Sequence, residues 1–245
     1  MDLGLSGRVY VLTGGTDGLG FATARALVDD GARVVVSSRQ RDKVDRAVRE
    51  LGTDHAAGIT ADLADPDTAD RLVATATERY GRLDGALVSV GGPPPATAAG
   101  ATDEQWRQAF ESVFLGAVRC ARTVAEALRE GGAIGLVLSS SVRSPITGLG
   151  ISNGLRPGLA MVTKDMADEY GPRGVRLVGL LPGRIATDRI LELDRGGTPQ
   201  YGGIPLGRYG TPAEFGTVAA FVLSPAASYL TGSLVAVDGG ALRCL

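Results

Sequence analysis

Cysteine and lysine are scarce in this chain, and so are long apolar runs and any excess of one charge; each shortage closes off a class of function. Cys120 and Cys244 are the only cysteines, far apart and without ligand-like spacing. They read as free thiols of a reducing cytosol rather than a disulfide framework or a metal site. Only Lys43 and Lys164 are lysines among 25 basic residues, a skew that reflects composition more than function. Net charge is −2, so no basic surface is offered to nucleic acid or an anionic membrane. No apolar run approaches the ~18–20 residues that span a bilayer. The opening Met1 to Leu5 has neither the charged region nor the long apolar stretch of a signal peptide. The expectation is a cytoplasmic protein with a small-molecule ligand and no metal.

Apolar strand and amphipathic helix patterns alternate through the sequence. Runs rich in β-branched residues fall at 8–13, 33–37, 56–60, 84–89, 133–139, 174–180 and 233–237. Helical patterns lie near 18–30, 40–52, 65–80, 102–129, 151–170 and 211–223. Strands that are apolar along their whole length are buried on both faces, which requires a parallel sheet between helices. Seven such strands with right-handed crossovers predict an α/β, Rossmann-type doubly wound sheet, in one domain over 1–245. Gly91 to Pro95 and the Gly- and Pro-rich stretch at about 184–211 interrupt the rhythm, and the second is long enough to act as a substrate lid.

Residues Thr13-Gly14-Gly15-Thr16-Asp17-Gly18-Leu19-Gly20 follow the first strand and open the first helix. Glycines there let the backbone turn sharply and approach a pyrophosphate, which the unpaired N–H groups of the helix start then hold. The spacing TGxxxGxG makes dinucleotide binding the leading reading. After the second strand, Ser38 and Arg39 stand where an NAD site carries an acid. A guanidinium suits a 2′-phosphate, so NADP is preferred to NAD, although Arg39 could also be a solvated loop charge. Asp62-Leu63 follows the third strand; Asp62 could accept from adenine, cap a helix, or do both. His55, the single histidine, precedes that strand and reads as a surface residue.

Together with a glycine turn at Gly91-Gly92, with Pro182-Gly183-Arg184-Ile185-Ala186-Thr187, and with Val235 to Gly240, these motifs resemble the short-chain dehydrogenase/reductase family over essentially the whole chain. The overall pattern is similar to that of 3-oxoacyl thioester reductases. The resemblance implies a nicotinamide dinucleotide held by Gly14, Thr16, Asp17, Gly18, Leu19, Gly20, Ser38, Arg39, Asp62, Leu63, Gly91, Gly92, Pro182 and Gly183, with Ile185 and Thr187 at the carboxamide. It also implies a homo-oligomer, tetramer or dimer. The family's catalytic set is Ser, then Tyr thirteen residues on, then Lys four further. Anchored on Met161 to Ala167, that spacing falls on Ser139, Ser152 and Arg156, and the family's relay Asn falls on Val113.

Serine is far less acidic than tyrosine, so a neighbouring cation cannot bring it to a working pKa. Arg156 keeps positive charge and donors for the ribose. Ser152 could position a water, or merely cap a helix. Ser139 would polarise a carbonyl, with Ser141 as the alternative. Tyr170 lies five helical turns from Ser152, ~27 Å away and out of reach, while Tyr201 and Tyr209 in the lid could swing in. Two functions follow: a short-chain oxidoreductase acting on a carbonyl or alcohol with an altered site, or a dinucleotide-binding sensor or partner subunit with little or no turnover.

Overall fold

A computed structural model describes residues 2–129, 131–193 and 202–244. Seven strands form one parallel sheet in the order β3-β2-β1-β4-β5-β6-β7. Their ranges are β1 Val9–Leu12, β2 Arg33–Ser38, β3 Ala56–Thr60, β4 Gly85–Val88, β5 Gly132–Val137, β6 Val175–Pro182 and β7 Ser233–Val237. The order reverses between β1 and β4, and a sheet of this kind binds its ligand at the carboxyl ends of the strands beside that reversal.

Alternation along β1 builds both layers of the core. Val9 and Val11 face one apolar cluster, with α3 (Thr68–Tyr80), α5 (Gly116–Ala127) and α6 (Gly150–Tyr170). Tyr10 and Leu12 face the other, with α1 (Gly18–Asp29), α2 (Arg41–Leu51) and α8 (Pro212–Leu223). At the amino ends of the strands Asp84, buried, accepts from the Val9 N–H at 2.9 Å and from Arg8 at 2.9 Å. Burial pushes the Cys120 thiol up to about 12, so it serves as a small core residue and not as a nucleophile.

Three local expectations change. The helix expected over 102–129 begins as α4 (Asp103–Ala109), passes through a π-helical turn at Phe110–Leu115 and resumes as α5. A Cβ on Gly116 would lie 2.3 Å from the Leu63 carbonyl oxygen, so the helix has to run against that backbone at its widened turn. Asp62 does not cap α3, which starts six residues later behind Asp67; its carboxylate instead accepts from the Ala64 N–H at 3.0 Å. Ser152 is not a cap either, because α6 begins at Gly150 behind Leu149 and Ser152 lies inside its first turn. Between β6 and α8 stands a short α7 (Asp188–Leu193); residues 194–201 of the expected lid, Tyr201 among them, lie outside the described residues.

Candidate active site

The glycine turn is built by contacts that no other residue permits. A Cβ on Gly20 would sit 2.2 Å from the Gly14 carbonyl oxygen, and one on Gly14, itself at φ +57°, would sit 2.7 Å from the Ser89 oxygen. Thr13 knits β1 to β4 beside it: its hydroxyl donates to the Ser89 oxygen and accepts from the Ser89 N–H, both at 2.8 Å. Asp17 occupies the cap position of α1 but makes no capping bond. Its carboxylate is drawn outward by Lys43 at 2.8 Å and Arg46 at 2.6 Å, so the first-turn N–H groups of α1 remain available to an anion.

This pairing could not be read from the glycine motif, since Lys43 and Arg46 lie outside it. Lys43 and Arg46 are three apart on α2 and so share a face. That face puts two cations beside the turn, close to exposed Arg39. Arg39 has no partner among the described residues. The Ser38 hydroxyl accepts a long bond of 3.4 Å from the Gln40 N–H.

A cleft of about 1260 Å³ runs along the carboxyl ends of the strands. It is bounded by Gly14, Thr16 and Asp17, by Ser38 and Arg39, by Asp62 and Leu63, and by Gly91 to Pro94. This volume exceeds the ~300–1,000 Å³ usual for drug-sized ligands, and its length follows the binding residues expected for a dinucleotide. Val113, on the π turn, and Leu155, on α6, also line it. Outside the cleft lining, Thr187 comes to Gly18, where a Cβ would be 3.4 Å from the Thr187 methyl. Ile185 is buried under Gly210, and Gly183 packs so tightly on Asp238 that a Cβ would approach to 2.6 Å. The pieces cited as cofactor residues, remote in sequence, are thereby gathered on one edge of the sheet.

The three residues at the catalytic slots take a different form. Ser139 lies just beyond β5 in extended backbone, and its oxygen accepts from the Ser141 N–H at 3.1 Å. Ser141 is buried with its hydroxyl unpartnered among the described residues. Ser152 is 8% exposed and Arg156, one turn on, 4% exposed. Arg156 donates to the Val137 carbonyl at 2.6 Å, which ties α6 to the end of β5. Burial, reinforced by the charge of Arg189, lowers the Arg156 pKa to about 10. Asn153 fastens the loop before α6, accepting from the Ile146 N–H at 3.0 Å and donating to its carbonyl at 2.9 Å.

Other candidates separate cleanly. Tyr170 gives its hydroxyl to Glu126 at 2.9 Å, at the far end of α6. Tyr209 lies beneath the Arg184 guanidinium, which stands 5.8 Å above its ring. His55 is exposed. Arg189 of α7, which spacing did not single out, reaches back over the cleft loop and donates to the Pro93 carbonyl at 2.8 Å. Among the described residues no acidic, histidine or cysteine cluster could hold a metal, and no helix is long and apolar enough to cross a membrane.

Known proteins share both sequence and architecture with this chain. The family model described as enoyl-(acyl carrier protein) reductase matches residues 14–241. Human dehydrogenase/reductase SDR family member 4 is 34% identical over 96% of this chain and 88% of its own length. The 2,5-dichloro-2,5-cyclohexadiene-1,4-diol dehydrogenase of Sphingobium indicum is 32% identical, over 96% of this chain and 97% of its own. The crystal structure of L-sorbose reductase from Gluconobacter frateurii, complexed with NADPH and L-sorbose, superposes over all of both chains with a TM-score of 0.93 at 30% identity. With its motifs, its strand order and these relatives in agreement, the chain belongs to the short-chain dehydrogenase/reductase family.

Proposed function

We propose that this chain is an NADP(H)-preferring oxidoreductase that moves hydride between the cofactor and a carbonyl or alcohol substrate. The observation that carries the reading is the glycine turn at an uncapped helix start, opening on a long cleft flanked by Ser38 and Arg39, with Lys43 and Arg46 close by. The solved NADPH complex of L-sorbose reductase supports the same cofactor. When bound, the nicotinamide supplies the hydride for reduction or accepts it for oxidation.

The chain's own groups then serve the substrate oxygen. In reduction, the Ser139 hydroxyl donates to the carbonyl oxygen and polarises it. Ser152 donates a second bond directly or through a water. As the carbon gains hydride, the electron pair moves to that oxygen, and the buried charge of Arg156 favours the developing negative charge. Water delivers the proton, since neither serine nor arginine titrates near neutrality. Arg156, with N–H donors beyond the one spent on Val137, would hold the ribose hydroxyls of a bound cofactor, the role the resemblance gives the family's Lys. Loss of the tyrosine predicts a slow enzyme, and an inactive dinucleotide-binding subunit is the reading to which a failed assay returns.

Titration with NADPH and NADH tests the cofactor, and NADPH oxidation over ketones, aldehydes and acyl thioesters tests turnover. Tight NADPH binding with measurable oxidation is expected. Absence of binding to either dinucleotide sinks the whole reading, and binding with a flat panel sinks the enzymatic part. The chain is further proposed to act as a single unit over 1–245 in the cytoplasm and to assemble as a dimer or tetramer. Exposed Met161 on α6 and exposed Phe110 at the π turn support assembly. Light scattering checks it, and a monomer at micromolar concentration would count against it.

A further inference from the structure

Several arginines of this molecule pair with a carboxylate. Arg8 pairs with Asp84, Arg46 with Asp17, Arg71 with Asp65, Arg173 with Glu126 and Arg208 with Glu214. Arg156 and Arg189, at the candidate site, do not. Among the described residues neither has a carboxylate within ion-pair distance. Each spends one nitrogen on a backbone carbonyl, Val137 for Arg156 and Pro93 for Arg189, although a guanidinium offers five N–H donors. The Arg189 fork lies flat against Gly92, where a Cβ would stand 2.5 Å from one of its nitrogens. Gly92, Pro93 and Pro94 line the cleft there.

The two charges also feel each other. The field of Arg189 adds to desolvation in lowering the Arg156 pKa, and desolvation lowers that of Arg189 as well. Glu192, further along α7, is the carboxylate whose charge registers at Arg189, and it makes no ion pair with it. Arg156 is buried while Arg189 stays exposed to water, and their like charges are unfavourable together. An arriving carboxylate relieves both and gains two parallel charge-assisted bonds from a planar fork.

The geometry points to a substrate that carries a carboxylate beside its reactive carbonyl or alcohol, docked on Arg189 at Gly92 and Pro93, with the Arg156 charge adding to the attraction. This assignment rests on the oxidoreductase reading and names the substrate class of that site.

The test uses pairs that share a carbonyl and differ only in the anion: 2-oxobutanoate, 3-oxobutanoate and 4-oxopentanoate, each against its methyl ester. NADPH oxidation is followed with the wild-type chain, Arg189→Met and Arg189→Lys. For at least one pair the acid should exceed its ester in kcat/KM by roughly 10–100-fold, the worth of a charge-assisted bond. Arg189→Met should shrink that ratio to within about 3-fold, and Arg189→Lys should keep part of it. Equal treatment of acid and ester in every pair, or a ratio untouched in Arg189→Met, overturns the proposal. Calorimetric titration of the same acids and esters, with and without NADPH, separates the two claims. Failure to bind NADPH overturns the oxidoreductase reading, while acid binding no tighter than ester binding overturns the carboxylate site on its own.

Discussion

The glycine turn and the stretch from Ser139 to Arg156 are built from different materials. In the glycine turn, recognition is made from backbone: glycines that cannot bear a Cβ, helix N–H groups, and strand ends locked by Thr13 and Ser89. In the stretch from Ser139 to Arg156 the proposed chemistry rests on side chains hung on α6 and the loop after β5, where the counted spacing puts serine and arginine at the family's tyrosine and lysine positions. A backbone device tolerates almost no substitution, because adding one carbon to Gly20 or Gly14 collides with main chain. A side chain can be exchanged while the helix beneath it keeps its course. Arg156 also makes a structural bond to the end of β5. Substitutions in the two places therefore test binding and turnover separately.

The largest effect that would sharpen this contrast is expected from Gly20→Val. Its side chain has no room beside the Gly14 carbonyl, so NADPH affinity should drop more than ~100-fold, with the ~1–3 kcal/mol destabilisation typical of overpacking. Fluorescence titration and thermal unfolding read both, and an unchanged affinity would deny the turn its role. Next comes Arg156→Ala, expected to lower kcat by about 10²–10³-fold while NADPH affinity falls by no more than about 10-fold. Equal losses in both would erase the division between the two places. The double replacement Ser152→Tyr with Arg156→Lys should raise kcat and introduce a pH-dependent limb. Wild-type kcat should be flat between about pH 6 and 9, because Arg156 is lowered only to about 10 and keeps its charge throughout. A wild-type limb near pH 8 would point to a lid tyrosine as proton donor instead.

A smaller change is expected from Arg39→Ala, which should weaken NADPH by roughly 10–100-fold, as for a lost charge-assisted bond, and leave NADH nearly unaltered. Paired titrations check this, and parallel losses would assign Arg39 to the solvated loop. The smallest effect concerns the foot of the lid. There Arg208 grips Glu214 with bonds of 2.6 and 2.9 Å, and with the Thr211 backbone N–H it holds the exposed carboxyl down to about 2. A depressed carboxyl pKa stabilises the fold above its unfolded value and loses that contribution as pH falls toward 2. Arg208→Ala should therefore lower Tm by only about 1–2 °C at pH 7. The difference should persist to pH 4.5 and shrink below it.

How far the sequence could be read depended on whether the deciding contact was local. The glycine turn was plain because each residue in it answers to a neighbour a few positions away. Ser139, Ser152 and Arg156 could be counted out because one unbroken stretch joins β5 to α6. The break in the 102–129 helix could not be seen, since it answers to the Leu63 backbone, more than forty residues earlier. Arg189 had no periodicity or motif to mark it. Its meaning comes from Gly92 and Pro93, almost a hundred residues away in the chain.

Apolar runs at strand spacing, amphipathic helices between them and glycines at one fixed turn were enough to determine a parallel doubly wound sheet and the class of ligand at its edge. Burial in a sheet and approach to a pyrophosphate restrict residue type position by position, so both leave a trace in the sequence itself. Only the tertiary structure decided that Asp17 would be neutralised by Lys43 and Arg46, that Arg156 would be buried against Val137, and that Arg189 would be laid against Gly92 and Pro93. Charge interactions act through space and depend on burial and distance, and neither is encoded in the order of residues along the chain.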